Sequence, residues 1–201
     1  MDYPIFFDQA PTITLYDPLG EFLGAFTDGK VIVSYYDCAK LAGHSCPTVA
    51  SAYLMAMTGI KKLYPDSIPQ RSQIRVEMQA PKEKGVTGVI GNVIAYIVGA
   101  NDESGFKGIG GTFSRNDLLF FGVKALTGSI RLTRTDTDTS VTLSCDTKQV
   151  PGSPEMMTLM QKAMQGIASI EEEVQFKALW QGRVESMLLD SELQNNIITI
   201  H

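Results

Sequence analysis

The segment that begins at Pro47 constrains the fold more than any other part of this 201-residue chain. Proline fits the first position of a helix, because the amide hydrogen that it lacks has no helical partner there. Pro65 interrupts any helix that starts at Pro47. Between the two prolines, apolar residues recur at helical spacing: Val49, Tyr53, Ala56, Ile60 and Leu63. The small residues Ala50, Ser51 and Ala52 favour close packing of this predicted helix against another element.

Strand patterns occupy much of the chain on either side of this helix. Alternation of polar and apolar residues over 73–78 predicts a half-exposed strand. Residues 12–26 are predicted to form two strands joined by a turn at Asp17–Gly20. Residues 89–98 are predicted to form a buried helix, because their helical period outweighs their β-branched content. Further short strands are predicted at 31–33, 118–122, 129–134 and 141–145.

Helical signals return in the C-terminal third of the chain. Ser153 followed by Pro154 favours a helix start, and Ser169 followed by acidic residues favours a second start. The second of these helices is predicted to run to about Leu189. We therefore predict one α+β domain over residues 1–201, in which helices pack on an antiparallel or mixed sheet. Its core spans about 30–146, and its helical C-terminal segment spans 153–190.

Composition excludes several classes of partner. The net charge is −5 and no basic run is present, so nucleic acid is not expected as a partner. The longest apolar stretch, residues 86–100, is interrupted by Gly88 and Gly91, so no membrane span is expected. Residues 1–4 lack the basic start and apolar core of a secretory signal. Three cysteines do not make a disulfide framework, so a reducing cytoplasm is the expected location.

The motif His44-Ser45-Cys46-Pro47 carries the most chemistry in the chain. A His-x-Cys pair in an extended segment projects both side chains to one side, where they can ligate zinc or another divalent transition metal. Cys38 is a candidate third ligand. Alternatively, His44 ionises Cys46, which also lies at a predicted helix N-terminus, and the pair is catalytic: Cys46 is then a nucleophile or redox thiol and His44 its base.

A glycine-rich loop is the second candidate for binding. The backbone amides around Gly110, Gly111 and Thr112 could cradle an anion, and Arg115 and Asn116 could line a pocket mouth. This interpretation predicts a small molecule or cofactor at the loop. The alternative is a tight turn that binds nothing, since the loop fits neither the Walker nor the Rossmann spacing.

Two stretches resemble the formylmethanofuran dehydrogenase E-subunit-like family. Residues 43–47 resemble its Gly-His-x-Cys-Pro motif, and residues 110–120 are similar to a loop and strand of that family. The resemblance implies an α+β core, often dimeric, with a metal site on His44 and Cys46. Two features depart from the family: Gly111 stands where its loop has a cysteine, and no cysteine follows Cys145. The departures remove a loop thiol and the cysteine-rich zinc finger that many members carry.

Three functions remain open from the sequence, which does not decide whether the protein is an enzyme. The first is a zinc-like metal site at His44 and Cys46 beside a small-ligand pocket. The second is metal-free thiol chemistry at the same pair, and the third is a non-catalytic subunit for cofactor binding or assembly. A homodimer is also expected, with the strand at 73–78 and the apolar tail at 197–200 as its candidate contacts.

Overall fold

Seven strands and eight α-helices lie within residues 3–201, the part of the chain that the computed structural model describes. Met1 and Asp2, on which the signal-peptide argument partly rests, lie outside these residues. The strands are β1 (Ile13–Tyr16), β2 (Lys30–Val33), β3 (Ile74–Met78), β4 (Leu119–Phe120), β5 (Ile130–Arg134), β6 (Ser140–Cys145) and β7 (Ile198–Ile200). The helices are α1 (Phe6–Gln9), α2 (Pro18–Phe22), α3 (Tyr35–Ala42), α4 (Pro47–Leu63), α5 (Thr87–Val98), α6 (Pro154–Met164), α7 (Ile170–Leu189) and α8 (Ser191–Ile197).

Five of the strands form the main sheet, in the order β4-β3-β5-β6-β7. β4 runs parallel to β3, and the other neighbours are antiparallel. β1 and β2 form a separate antiparallel hairpin. The mixed sheet with its helices confirms the predicted α+β class.

The main sheet has one buried face and one partly exposed face. Alternation in β3 and β5 turns Val76 and Leu132 inward, where both are fully buried. The next pair along the two strands, Glu77 and Arg131, points to the other face of the sheet. There Glu77 accepts hydrogen bonds of 2.6 and 2.8 Å from Arg131. The strand predicted at 73–78 is therefore confirmed as β3, but it is more buried than predicted: of its five residues only Arg75 is not buried.

Helix α4 lies at the centre of the molecule. It contacts β5 and β6 of the sheet on one side and α3, α5 and α7 around the rest of its surface. Ala50, Ala52 and Ala56 are fully buried, as the predicted close packing requires. The predicted buried helix at 89–98 is also confirmed: it is α5, which packs along α4.

The prediction of two strands over 12–26 is half wrong. β1 forms, but the residues after Asp17 make α2 instead of a second strand. Asp17 is the N-cap of that helix: its carboxylate accepts the amide hydrogen of Gly20 at 2.9 Å, and Pro18 takes the first helical position. An aspartate before a proline begins a helix as readily as a turn, and β1 finds its partner in β2.

Both segments predicted to make a dimer contact are paired within the chain. β3 lies between β4 and β5 and offers no free edge to a partner, and the contact predicted at 73–78 stays a prediction. The tail forms β7, which pairs with β6. The homodimer itself stays a prediction. None of the helices within residues 3–201 has the length and apolar character needed to cross a bilayer.

We expect Gly59→Val to lower the free energy of unfolding by about 1–3 kcal/mol, because a side chain there overpacks the contact between α4 and the sheet. A Cβ atom at Gly59 would lie 2.6 Å from Leu132 Cδ1 and 3.1 Å from Leu143 Cδ1. Gly182→Val is the matched control, since Gly182 is also helical and has nothing within 4 Å of that position. Urea denaturation of both variants measures the difference, and equal losses would contradict the close packing.

Candidate functional site

The His-x-Cys motif lies in the short connection between α3 and α4. Gly43 ends α3 in the left-handed conformation, with φ of 74°, which a glycine adopts without strain. Cys46 then serves as the extended N-cap residue of α4, and no side chain caps the first amides of that helix. The connection therefore sets the thiol at the positive end of a 17-residue helix.

His44 and Cys46 converge, as the sequence predicts. The Nε2 atom of His44 lies 3.2 Å from the Sγ atom of Cys46. The Nδ1 atom lies 2.9 Å from the carbonyl oxygen of Ala42, which can only accept a hydrogen bond. Nδ1 therefore carries the proton of the neutral ring, and Nε2 is left to accept the proton of the thiol.

The pair opens into a hollow of about 410 Å³. His44 is exposed, whereas Cys46 is 8% exposed, so solvent reaches the sulfur mainly through the hollow. Trp180 and Arg183 of α7 line the same hollow. Burial lowers the pKa of the Arg183 guanidinium, and negative charge on Cys46 acts against that shift. An arginine here favours an anion, either a thiolate or a ligand.

Helix α7 also fixes the backbone of the motif. The indole Nε1 of Trp180 donates to the carbonyl oxygen of Ser45 at 2.9 Å. The Ser45 hydroxyl donates to Gln181 Oε1 at 2.9 Å and lies 3.0 Å from the buried Tyr35 hydroxyl. Ser45 is thus held from two sides, which fixes the directions of its two neighbours in the motif.

The other two cysteines lie in different surroundings. Cys38 is fully buried on α3, where burial, with a smaller contribution from Asp37, raises the pKa of its thiol to about 12. Burial and the nearby Asp146 raise the pKa of the Cys145 thiol to about 12 as well. Both thiols are therefore expected to stay protonated at neutral pH, so neither is a ready nucleophile.

The glycine loop is separate from the thiol hollow. Ile109 and Thr112 exchange backbone hydrogen bonds of 2.9 and 3.0 Å, so Gly110 and Gly111 form the tip of a tight turn. Asn116 bonds its own neighbours, Ser114 and Asp117. Arg115 points inward to Asp17. Among the predicted binding residues in the loop, Arg115 lines a cavity of about 540 Å³, which adjoins the thiol hollow at Val89.

The donor set at the motif fits a cation only in part. Sγ and Nε2 are a soft and a borderline donor at a separation that one ion can bridge, and the Nδ1–H bond to a carbonyl orients the ring as in many metal sites. Across residues 3–201, no group of three or more His, Cys, Asp and Glu side chains is arranged to hold a metal ion. The pair therefore suits an open two-donor site and not a closed four-ligand site.

The sequence alone does not reveal the contribution of α7 to the site. It predicts only that Trp180 anchors its helix to the sheet, and Arg183 carries no signal beyond its three-residue spacing from Trp180. Comparisons with models of protein families, with curated proteins and with solved structures gave no match to this chain.

Proposed function

We propose that the protein is a thiol enzyme or thiol sensor for small electrophilic molecules, with Cys46 as nucleophile and His44 as its base. The observation that supports this most is the contact of 3.2 Å between Sγ and Nε2, made with the Nδ1 proton engaged by Ala42. That arrangement leaves the basic nitrogen facing the thiol. The hollow above the pair gives a small molecule access to the sulfur.

The proposed reaction begins with the transfer of a proton from the Cys46 thiol to His44. The S–H proton of Cys46 passes to Nε2 of His44, and the helix N-terminus and Arg183 stabilise the thiolate. The sulfur electron pair then forms a bond to an electrophilic carbon, and the electrons of the bond that breaks depart with the leaving group. The imidazolium returns its proton to that group, so His44 acts first as base and then as acid.

A zinc-like divalent metal site is the second candidate, and the convergence of a nitrogen and a sulfur donor favours it. The family resemblance in residues 43–47 implies the same site. When bound, such an ion would act as a Lewis acid toward water or a small ligand. His44 and Cys46 would hold it. We rank this candidate second because Arg183 in the same hollow opposes a dication and favours a thiolate.

Labelling with iodoacetamide at pH 7 tests the first candidate. We expect Cys46 to be alkylated at least about tenfold faster than Cys38 and Cys145, whose raised pKa values keep them protonated. Peptide mass spectrometry assigns the label, and Cys46→Ser is the control for site assignment. Labelling of Cys46 no faster than that of Cys145 would overturn the proposal.

The same experiment with one equivalent of zinc separates the two candidates. Unchanged labelling of Cys46 supports the thiol centre. Protection of Cys46 by zinc in the natural protein, lost in His44→Ala, supports the metal site and displaces the first candidate.

A further inference from the structure

A second cavity, of about 540 Å³, lies between α5, the end of α3 and the loop that precedes β4. Arg71 and Arg115 lie in its wall. They share one partner, the fully buried carboxylate of Asp17. The proposed chemistry of His44 and Cys46 does not use this cavity.

The wall of the cavity carries an excess of one positive charge. Arg71 Nη1 lies 3.0 Å from Asp17, and Arg115 Nη2 lies 2.7 and 2.8 Å from its two oxygens. Two guanidinium groups thus share one carboxylate. Asp102, the other charged residue in the wall, has its own cation in Lys82 at 3.4 Å. One arginine charge remains uncompensated, and the Arg71 and Arg115 side chains are only 12% and 18% exposed, which favours an anionic ligand.

Arg115 has hydrogen-bonding capacity to spare, unlike Arg71. Arg71 donates to the carbonyl oxygens of Ile97 and Tyr96 as well as to Asp17. Arg115 uses Nη2 for both oxygens of Asp17, and its buried Nε has no hydrogen-bond partner within residues 3–201. Nε is closed to solvent, whereas Nη1 is not and makes no hydrogen bond within residues 3–201, so Nη1 is the donor left for a ligand. Carboxylates and phosphates are the acceptors that match a guanidinium.

Apart from its charged residues, the wall of the cavity consists mainly of apolar side chains and of asparagine side chains. Tyr96 is 38% exposed and Leu41 is 47% exposed, and both line the cavity with Val89. Asn92 is exposed on the same helix as Tyr96. We propose that this cavity binds a small molecule whose carboxylate or phosphate pairs with Arg115 and whose flat apolar part packs on Tyr96. The cavity adjoins the thiol hollow at Val89, but neither His44 nor Cys46 lines it.

Binding of benzoate, phenyl phosphate and acetate, measured by isothermal titration calorimetry at low salt, tests the site. We expect benzoate or phenyl phosphate to bind more tightly than acetate, because only they reach the Tyr96 wall. Arg115→Gln should abolish this binding, and Cys46→Ser should leave it unchanged. The tighter of the two aromatic anions identifies the natural ligand as a carboxylate or a phosphate.

A pair of charge variants keeps the test valid should Arg115→Gln misfold. Asn92→Asp adds a negative charge at the cavity wall without touching the Asp17 network, and we expect it to weaken binding at least about fivefold. Asn196→Asp adds the same charge at an exposed position of α8, away from the cavity, and should change nothing. The proposal is overturned when neither aromatic anion binds the natural protein, or when both variants bind as tightly as it does.

Discussion

Replacing Asp17 with alanine should lower the free energy of unfolding by about 3–5 kcal/mol, the cost typical of removing one partner from a buried ion network. Asp17 is fully buried and accepts hydrogen bonds from Gly20, Arg71 and Arg115. Its loss leaves two guanidinium groups facing each other without an anion and removes the cap of α2. Arg71 and Arg115 join segments far apart in sequence, so the whole N-terminal hairpin should loosen.

A matched variant shows whether burial is the cause. Glu173→Ala removes an exposed i,i+4 pair with Lys177, 3.3 Å apart, and should cost no more than about 0.5 kcal/mol. Urea denaturation of both variants gives the comparison. Equal losses in the two would mean that the Asp17 network adds nothing beyond an ordinary surface pair.

The same network predicts how stability depends on pH. Burial alone would raise the pKa of the Asp17 carboxyl, but hydrogen bonds from Gly20 and Arg115 and the charges of Arg115 and Arg71 lower it overall. Because the pKa of Asp17 is lower in the folded protein than in the unfolded chain, the ionised carboxylate stabilises the fold at any pH above the unfolded-state pKa, which is about 3.9 for aspartate. This contribution is lost as the pH falls through the pKa of the folded state. The difference between the natural protein and Asp17→Ala should therefore shrink below about pH 4.

The elements that sequence predicts well are those whose signals are local. The start of α4 follows from Pro47, and its length follows from the apolar spacing up to Pro65. The alternation that defines β3 is equally local. The predicted turn at Asp17–Gly20 and the second strand after it failed, because an aspartate followed by proline fits both a turn and a helix start. The choice depends on β2, which pairs with β1 and leaves no place for another strand there.

The candidate site likewise combines residues whose proximity the sequence predicts and residues whose proximity depends on the three-dimensional fold. His44 and Cys46 are two residues apart, so their convergence follows from the backbone between them. Trp180 lies 135 residues from Ser45, and Arg115 lies 98 residues from Asp17. No spacing rule relates residues so distant, because their contacts depend on how α7 and the loop before β4 pack in the finished fold. Both cavities therefore became apparent only from the three-dimensional arrangement.

Removing the imidazole should have the largest effect on reactivity. We expect His44→Ala to slow the alkylation of Cys46 at pH 7 by about tenfold to a hundredfold, toward the lower end of what general bases contribute. The reason is geometric: Nε2 is the basic atom placed 3.2 Å from Sγ, and its lone pair faces the thiol because Nδ1 donates to Ala42. Rates of iodoacetamide labelling at Cys46, followed by mass spectrometry, measure the change.

The second histidine provides the matched control. His201 ends the chain, and its Nε2 lies 3.0 Å from the Ser144 hydroxyl, so His201→Ala removes an imidazole without touching the motif. That variant should label at the natural rate, and added free imidazole should restore part of the rate of His44→Ala. Should His44→Ala also label at the natural rate, the helix N-terminus and Arg183 alone would account for the reactivity of Cys46. His44 would then hold the connection between α3 and α4 in shape through its bond to Ala42, and it would have no part in proton transfer.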